Sequence, residues 1–173
     1  MLDSLRDVCR KGLTIYVLDA AGFFAGLQLS LPLVVTTESV IKEVKDREST
    51  LRLEYSLSAG KVITLSPTKE SLNHIVKVAK ELGEAKRLSN TDLELLALTY
   101  ELKQNGCKVT IVSDDRSVQN IALKVGASVM GIKRPTLKRS RKYVYKCPAC
   151  GYESNEPGIC DRCGTELVRV RKK

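Results

Sequence analysis

Five carboxylates stand where they could do chemistry. Asp19 closes the apolar, β-branched run Thr14–Leu18, and Asp114 and Asp115 follow a second such run, Val109–Val112. Glu43 and Asp92 lie on segments with helical spacing between those runs. An acid that ends a buried strand sits at the C-terminal edge of the sheet, where open α/β folds bind their ligands. Carboxylates gathered at one such edge repel one another, and bound divalent cations make the cluster reasonable. Oxygen-only donors suit Mg²⁺ or Mn²⁺. The chemistry that follows is activation of water and stabilisation of an in-line phosphoryl displacement. Each acid also has a purely structural use. Asp19 and Asp115 could cap the helices that follow them, Asp92 stands at a capping-box distance from Ser89, and Glu43 could be a solvated helix charge. Sequence spacing leaves both uses open.

A second cluster is built from sulfur. Cys147, Cys150, Cys160 and Cys163 form C-x₂-C-x₉-C-x₂-C, with Gly151 and Gly164 directly after the pairs. Two matched knuckles of this kind predict a closed tetrahedral Zn²⁺ site, structural rather than catalytic. About thirty residues cannot bury a stable core alone, so the metal is expected to be required for folding of the module. Cys9 and Cys107 stand apart and read as small buried hydrophobes or inert thiols. The single histidine, His74, has no nucleophile to pair with, which gives triad chemistry no support.

The elements that must position these residues alternate in type. Strands are expected at Thr14–Leu18, Leu33–Thr36, Val62–Leu65, Val109–Val112 and Ala127–Met130. Helices are expected over residues 2–12, 20–29, from Thr37 onward, 68–82, 89–104 and 116–125, while 51–59 is ambiguous between strand and helix. Such alternation predicts an α/β layer with a mostly parallel sheet flanked by helices. Residues 1–132 would form this domain, 133–142 a basic linker able to flex, and 143–173 a small zinc ribbon.

Charge is divided unevenly between those parts. Residues 133–173 carry twelve Lys and Arg against four Asp and Glu, whereas the rest of the chain is near neutral within a total of +9. A neutral domain with a basic arm suggests a polyanion partner, nucleic acid above all. Lys133, Arg134, Lys138, Arg139, Arg141 and Lys142 are the expected phosphate contacts. Tyr143 and Tyr145 could stack on unpaired bases or pack within the ribbon. No apolar run approaches the ~20 residues of a membrane span, and charges interrupt the N-terminus, so a cytoplasmic protein is expected.

Val17-Leu-Asp19, Thr37-Glu-Ser-Val-Ile-Lys-Glu43, Leu88-Ser-Asn-Thr-Asp92 and Val112-Ser-Asp-Asp115 together resemble the four acidic motifs of PIN-domain nucleases, in order. The resemblance implies Asp19, Glu43, Asp92 and Asp115 as catalytic metal ligands, with Asp114 close by. A PIN domain followed by a basic linker and one zinc ribbon is similar to the archaeal-type endonucleases that mature the 3′ end of small-subunit (16S-type) ribosomal RNA. That similarity implies cleavage of single-stranded RNA on a pre-ribosomal small subunit, beside its assembly factors. The alternative is a non-catalytic zinc-ribbon RNA- or ribosome-binding assembly factor whose acids are caps.

Overall fold

In the computed structural model, which describes Cys9 and residues 12–172, five parallel strands form the central sheet. The chain order is β1 (Thr14–Leu18), α1 (Ala20–Phe24), β2 (Val34–Thr36), α2 (Glu38–Glu43), α3 (Arg47–Ser58) and β3 (Val62–Thr64). There follow α4 (Lys69–Glu81), α5 (Asn90–Gln104), β4 (Lys108–Val112), α6 (Arg116–Lys124) and β5 (Ser128–Met130). The strands lie in the order β3-β2-β1-β4-β5, every neighbouring pair parallel. Ile15, Val17, Leu18, Val34, Val35, Ile111 and Val112 are fully buried, as a sheet covered on both faces requires. α5 supplies the apolar counterpart through Leu95, Leu96, Ala97, Leu98 and Leu102. Among the described residues no helix is long and apolar enough to cross a membrane.

The topology decides where a ligand can bind. From β1 the chain first moves outward through β2 and β3, then returns to the other side of β1 as β4. The strand order therefore reverses between β1 and β4, and the crevice opens beyond their C-terminal ends. Leu18 pairs with Val112 across that boundary, so Asp19 and Ser113 emerge side by side.

Several elements depart from expectation. The helix expected over 20–29 stops at Phe24 and is followed by a 3₁₀ turn over Leu27–Leu29, because Gly26 turns the chain between them. The ambiguous segment is helical: Asp46 accepts a hydrogen bond from the Ser49 N–H (2.9 Å) and starts α3, which carries Leu53 into the core. The helix expected over 2–12 falls almost wholly outside the described residues.

Cys9 and Cys107 are joined in a disulfide across 98 residues, which corrects their reading as isolated thiols. Spacing could not show this, since only folding brings the start of β4 to the N-terminal segment. Closing so long a loop restricts the unfolded chain, so Cys107→Ser is expected to cost about 2–4 kcal/mol. Unfolding in the presence and absence of reductant, with the variant as control, measures it.

Residues beyond β5 form a second, three-stranded antiparallel sheet in the order β7-β6-β8, from β6 (Tyr143–Lys146), β7 (Glu153–Ser154) and β8 (Val168–Arg171). Its small core is Tyr145, Cys147, Cys160 and Leu167, with Tyr152 against it.

Candidate active site

Asp19 begins the site. It caps α1, its Oδ1 accepting the Gly22 N–H at 2.9 Å, and it stands half-buried at the head of the crevice. Burial pushes its carboxyl above the ordinary value, with the charges of Asp92 and Asp114 adding to the rise; the Ser113 hydroxyl and the Gly22 N–H pull the other way. Asp19, Asp92, Ser113 and Asp114 therefore share one neighbourhood, although they come from three separate elements.

Asp92 caps α5 reciprocally with Ser89. Its Oδ2 accepts the Ser89 N–H (2.8 Å) and hydroxyl (2.7 Å), and the Ser89 hydroxyl in turn accepts the Asp92 N–H. Asp115 caps α6, its Oδ1 accepting from Ser117 (2.6 Å) and Val118 (3.2 Å). Capping and ion binding need not compete, because each cap uses one carboxylate oxygen. Among the described residues, no hydrogen bond reaches Asp92 Oδ1 or Asp115 Oδ2. Glu43 ends α2 in solvent, and the charges acting most on Asp19 are those of Asp92 and Asp114.

Oxygen donors held this way fit hard divalent cations. Among the described residues no three carboxylates approach one another within 4.8 Å. Ser39, at the start of α2, donates to Glu94 Oε2 at 2.6 Å and bonds Thr37 at 2.9 Å, tying the helix that ends in Glu43 to the helix that carries Asp92 in its first turn. His74 lies outside this site, exposed on α4 and stacked on Tyr100 at 4.2 Å.

The four ribbon cysteines converge. Their sulfurs lie within 4.8 Å of one another, with Cys147–Cys163 at 3.4 Å, Cys150–Cys160 at 3.5 Å and Cys150–Cys163 at 3.7 Å. Thiolates about 2.3 Å from a tetrahedral Zn²⁺ would stand about 3.8 Å apart, so the set fits that ion. The two knuckles repeat one pattern: Gly151 N–H to Cys147 C=O at 3.0 Å and Gly164 N–H to Cys160 C=O at 2.9 Å, both glycines at φ near +75°. The hydroxyl and N–H of Thr165 pull the Cys163 thiol below its usual value, while, against the pull of the Tyr152 N–H, the neighbouring sulfurs and burial push that of Cys150 up.

The basic linker is docked rather than loose. Leu137 is buried and its N–H donates to Gln119 Oε1 at 2.9 Å, while Gln119 Nε2 donates to the Ser113 carbonyl at 2.7 Å. Asn120 reads the Arg141 backbone twice, accepting its N–H (2.6 Å) and donating to its C=O (2.8 Å). Asn120 also donates to Glu84 Oε1 at 2.7 Å, and Arg169 of the ribbon donates to Glu84 Oε2 at 2.7 Å. Lys133, Arg134, Lys138, Arg139 and Lys142 are exposed, whereas Arg141 is half-buried. Of the two uses open to the tyrosines, packing is the one seen. Tyr145 is only 8% exposed within the ribbon core, and the Arg169 guanidinium covers the Tyr143 ring at 3.6 Å.

This joint between ribbon and sheet domain left no mark in the sequence. Gln119, Asn120 and Glu84 are polar residues on or near helices and look solvated until the fold buries them. A Cβ at Gly83 would collide with the Tyr143 carbonyl. Glu84 is 2% exposed. Removing one partner from a buried ion pair is strongly destabilising, so Glu84→Ala is expected to cost about 3–5 kcal/mol, measured by denaturant unfolding.

At the switch point of the parallel sheet Asp19 lies within charge reach of Asp92 and Asp114, and a Cys₄ module follows on a basic arm. The family described as "PIN domain of ribonuclease" matches residues 16–102. Endoribonuclease Nob1 of Pyrococcus abyssi is 40% identical over 91% of this chain and 94% of its own length. Ribonuclease VapC3 of Aeropyrum pernix is 36% identical over 77% of this chain and 96% of its own length. The "20S-pre-rRNA D-site endonuclease nob1" of Schizosaccharomyces pombe is 35% identical over 54% of this chain and 24% of its own length. The chain belongs to the PIN-domain ribonucleases and is an endoribonuclease.

Proposed function

We propose that this endoribonuclease matures the 3′ end of small-subunit ribosomal RNA, cutting single-stranded precursor on the assembling small subunit in the cytoplasm. The observation that carries this reading is the joining of an acid pocket to a docked basic arm and a Cys₄ ribbon. Similarity to the Pyrococcus Nob1 covers 91% of the chain and so reaches into the ribbon, which favours this substrate over that of a bare PIN ribonuclease.

Asp19, Glu43, Asp92 and Asp115 would hold one or two Mn²⁺ or Mg²⁺ ions, and the four cysteines Zn²⁺. Bound divalent ions would supply a water-derived nucleophile and offset charge on the scissile phosphate. The remaining work belongs to the chain. Asp19 stands at the sheet edge, and the Gly22 N–H holds its carboxylate in place. Lys133, Arg134, Lys138, Arg139 and Lys142 offer cations along the arm for successive phosphates. Glu84 and Asn120 set the distance between ribbon and pocket.

The test is cleavage of a single-stranded RNA spanning the end of the mature small-subunit rRNA, with Mn²⁺ and with EDTA. Cutting at the mature end with Mn²⁺ alone is expected. Tight binding without cutting would leave a non-catalytic assembly factor, and cutting without regard to position would leave a general ribonuclease.

A further inference from the structure

Asp114 stands beside Asp115 in the sequence but is differently engaged. Its Oδ1 accepts the N–H of Ile132 (2.8 Å), Lys133 (3.2 Å) and Arg134 (3.2 Å), and its Oδ2 accepts that of Lys133 at 2.9 Å. Three successive N–H groups converging on one anion make a nest, filled here by the protein's own carboxylate. The turn is closed tightly. A Cβ at Gly131 would collide with the Arg134 carbonyl and lie 3.3 Å from Asp114 Oδ1. Although burial opposes it, the three N–H groups and the Arg134 charge hold the Asp114 carboxyl below its usual value.

Two consequences follow from this arrangement. A carboxylate already bonded through both oxygens has little left for a metal ion. The nest also fixes where the side chains of Lys133 and Arg134 leave the backbone, on a loop bonded to Asp114, the residue after Ser113; the Arg134 charge acts on Asp114, and that of Asp114 on Asp19. Both cations are exposed, and among the described residues neither is in a salt bridge.

We propose that Asp114 is a positioning residue rather than a metal ligand, and that it seats Arg134 beside the acid pocket to grip the RNA phosphate next to the one cleaved. A planar guanidinium suits this task, because it can take two phosphate oxygens at once. The anchoring loop and the catalytic loop are then one piece, since Gln119 joins the Ser113 carbonyl to the Leu137 N–H. RNA held by the arm is thereby set in register with the cut. This inference rests on the endoribonuclease reading above for what Arg134 does, but not for how it is seated.

The experiment uses the full chain and a short single-stranded RNA. Binding is measured on zinc-loaded protein with no Mn²⁺ or Mg²⁺ added, over a range of salt, and Mn²⁺ binding by calorimetry. Arg134→Ala is expected to weaken RNA binding and to lower the slope of log affinity against log salt by about 0.7, the value for one single-strand phosphate. It should raise KM more than it lowers kcat, and Arg134→Lys should restore part of the loss. Asp114→Ala should weaken RNA binding in the same way while leaving Mn²⁺ affinity unchanged. The sign discriminates, because removing an acid near bound RNA would by charge alone tighten it. Asp114→Asn, which keeps one acceptor oxygen, should fall between. RNA binding by Asp114→Ala as tight as wild type, or tighter, overturns the proposal. So does a tenfold loss of Mn²⁺ affinity in Asp114→Asn, or an unchanged salt slope in Arg134→Ala, a surface variant that stays informative if Asp114→Ala does not fold. If the wild type binds RNA but never cuts it while these slopes shift as stated, the nuclease reading fails and the seating of Arg134 stands.

Discussion

Asp19→Asn is expected to lower RNA cleavage about 10³-fold or more while the folded, metal-free protein becomes more stable. The loss follows from the worth of a bound ion in the transition state, several kcal/mol, at about 1.4 kcal/mol per factor of ten. RNA affinity should hold or rise, since the variant removes a negative charge from the path of a polyanion. The stability gain has a separate cause. Burial first, then the charges of Asp92 and Asp114, raise the Asp19 carboxyl above its usual 3.8. A carboxyl raised on folding keeps its proton longer in the folded state than in the unfolded one. Folding stability is then highest below the usual value and declines as pH climbs through the raised one. At neutral pH the ionised group is a cost, and Asn removes it. With no Mn²⁺ or Mg²⁺ added, at pH 7 the variant should melt above wild type, and the difference should vanish below about pH 3.8. Added Mn²⁺ should reverse the order by stabilising wild type alone, by about 2.7 kcal/mol at a hundredfold excess over Kd. Unchanged cleavage by Asp19→Asn would remove Asp19 from the catalytic assignment.

The parallel sheet was legible because its strands are continuous apolar runs ending in Asp19 and in Ser113-Asp114-Asp115. A strand buried on both faces needs such a run. The cysteine module was legible for a similar reason: metal geometry dictates its spacing. What stayed hidden depends on tertiary approach. Asp114 and Asp115 are identical residues in adjacent positions, yet one caps α6 and the other closes a nest made by residues eighteen to twenty positions away. Only the fold of residues 131–134 separates those roles. The linker read as flexible because basic residues and Pro135 dominate its composition. Its docking rests on one apolar side chain, Leu137, and on backbone bonds to Gln119 and Asn120, and composition does not report backbone bonds.

Withdrawing zinc, or replacing Cys147 by Ser, should unfold the ribbon and also loosen the domain it sits on. Two of the four residues in the ribbon core, Cys147 and Cys160, are themselves expected ligands, so without the ion little core remains. Structural Zn²⁺ is worth about 10–16 kcal/mol in small modules of this kind, far more than Tyr145 and Leu167 supply by burial, at about 1.5–3 kcal/mol each. A ribbon on a free tether would unfold without consequence for its neighbour. This one holds Arg169 against Glu84 and lays Tyr143 over Gly83, with the Tyr143 N–H on the Leu82 carbonyl at 2.9 Å. Losing Arg169 leaves Glu84 a buried charge with Asn120 as its remaining side-chain partner, a defect of about 3–5 kcal/mol. Chelation should therefore shift NMR signals around Leu82–Ala85 and Asn120 and lower the melting temperature of the sheet domain, along with RNA affinity. A ribbon that kept its dispersed resonances after chelation would show that the sulfurs do not need the ion. A sheet domain whose melting did not move would show that the Glu84–Arg169 joint carries no load between the two parts.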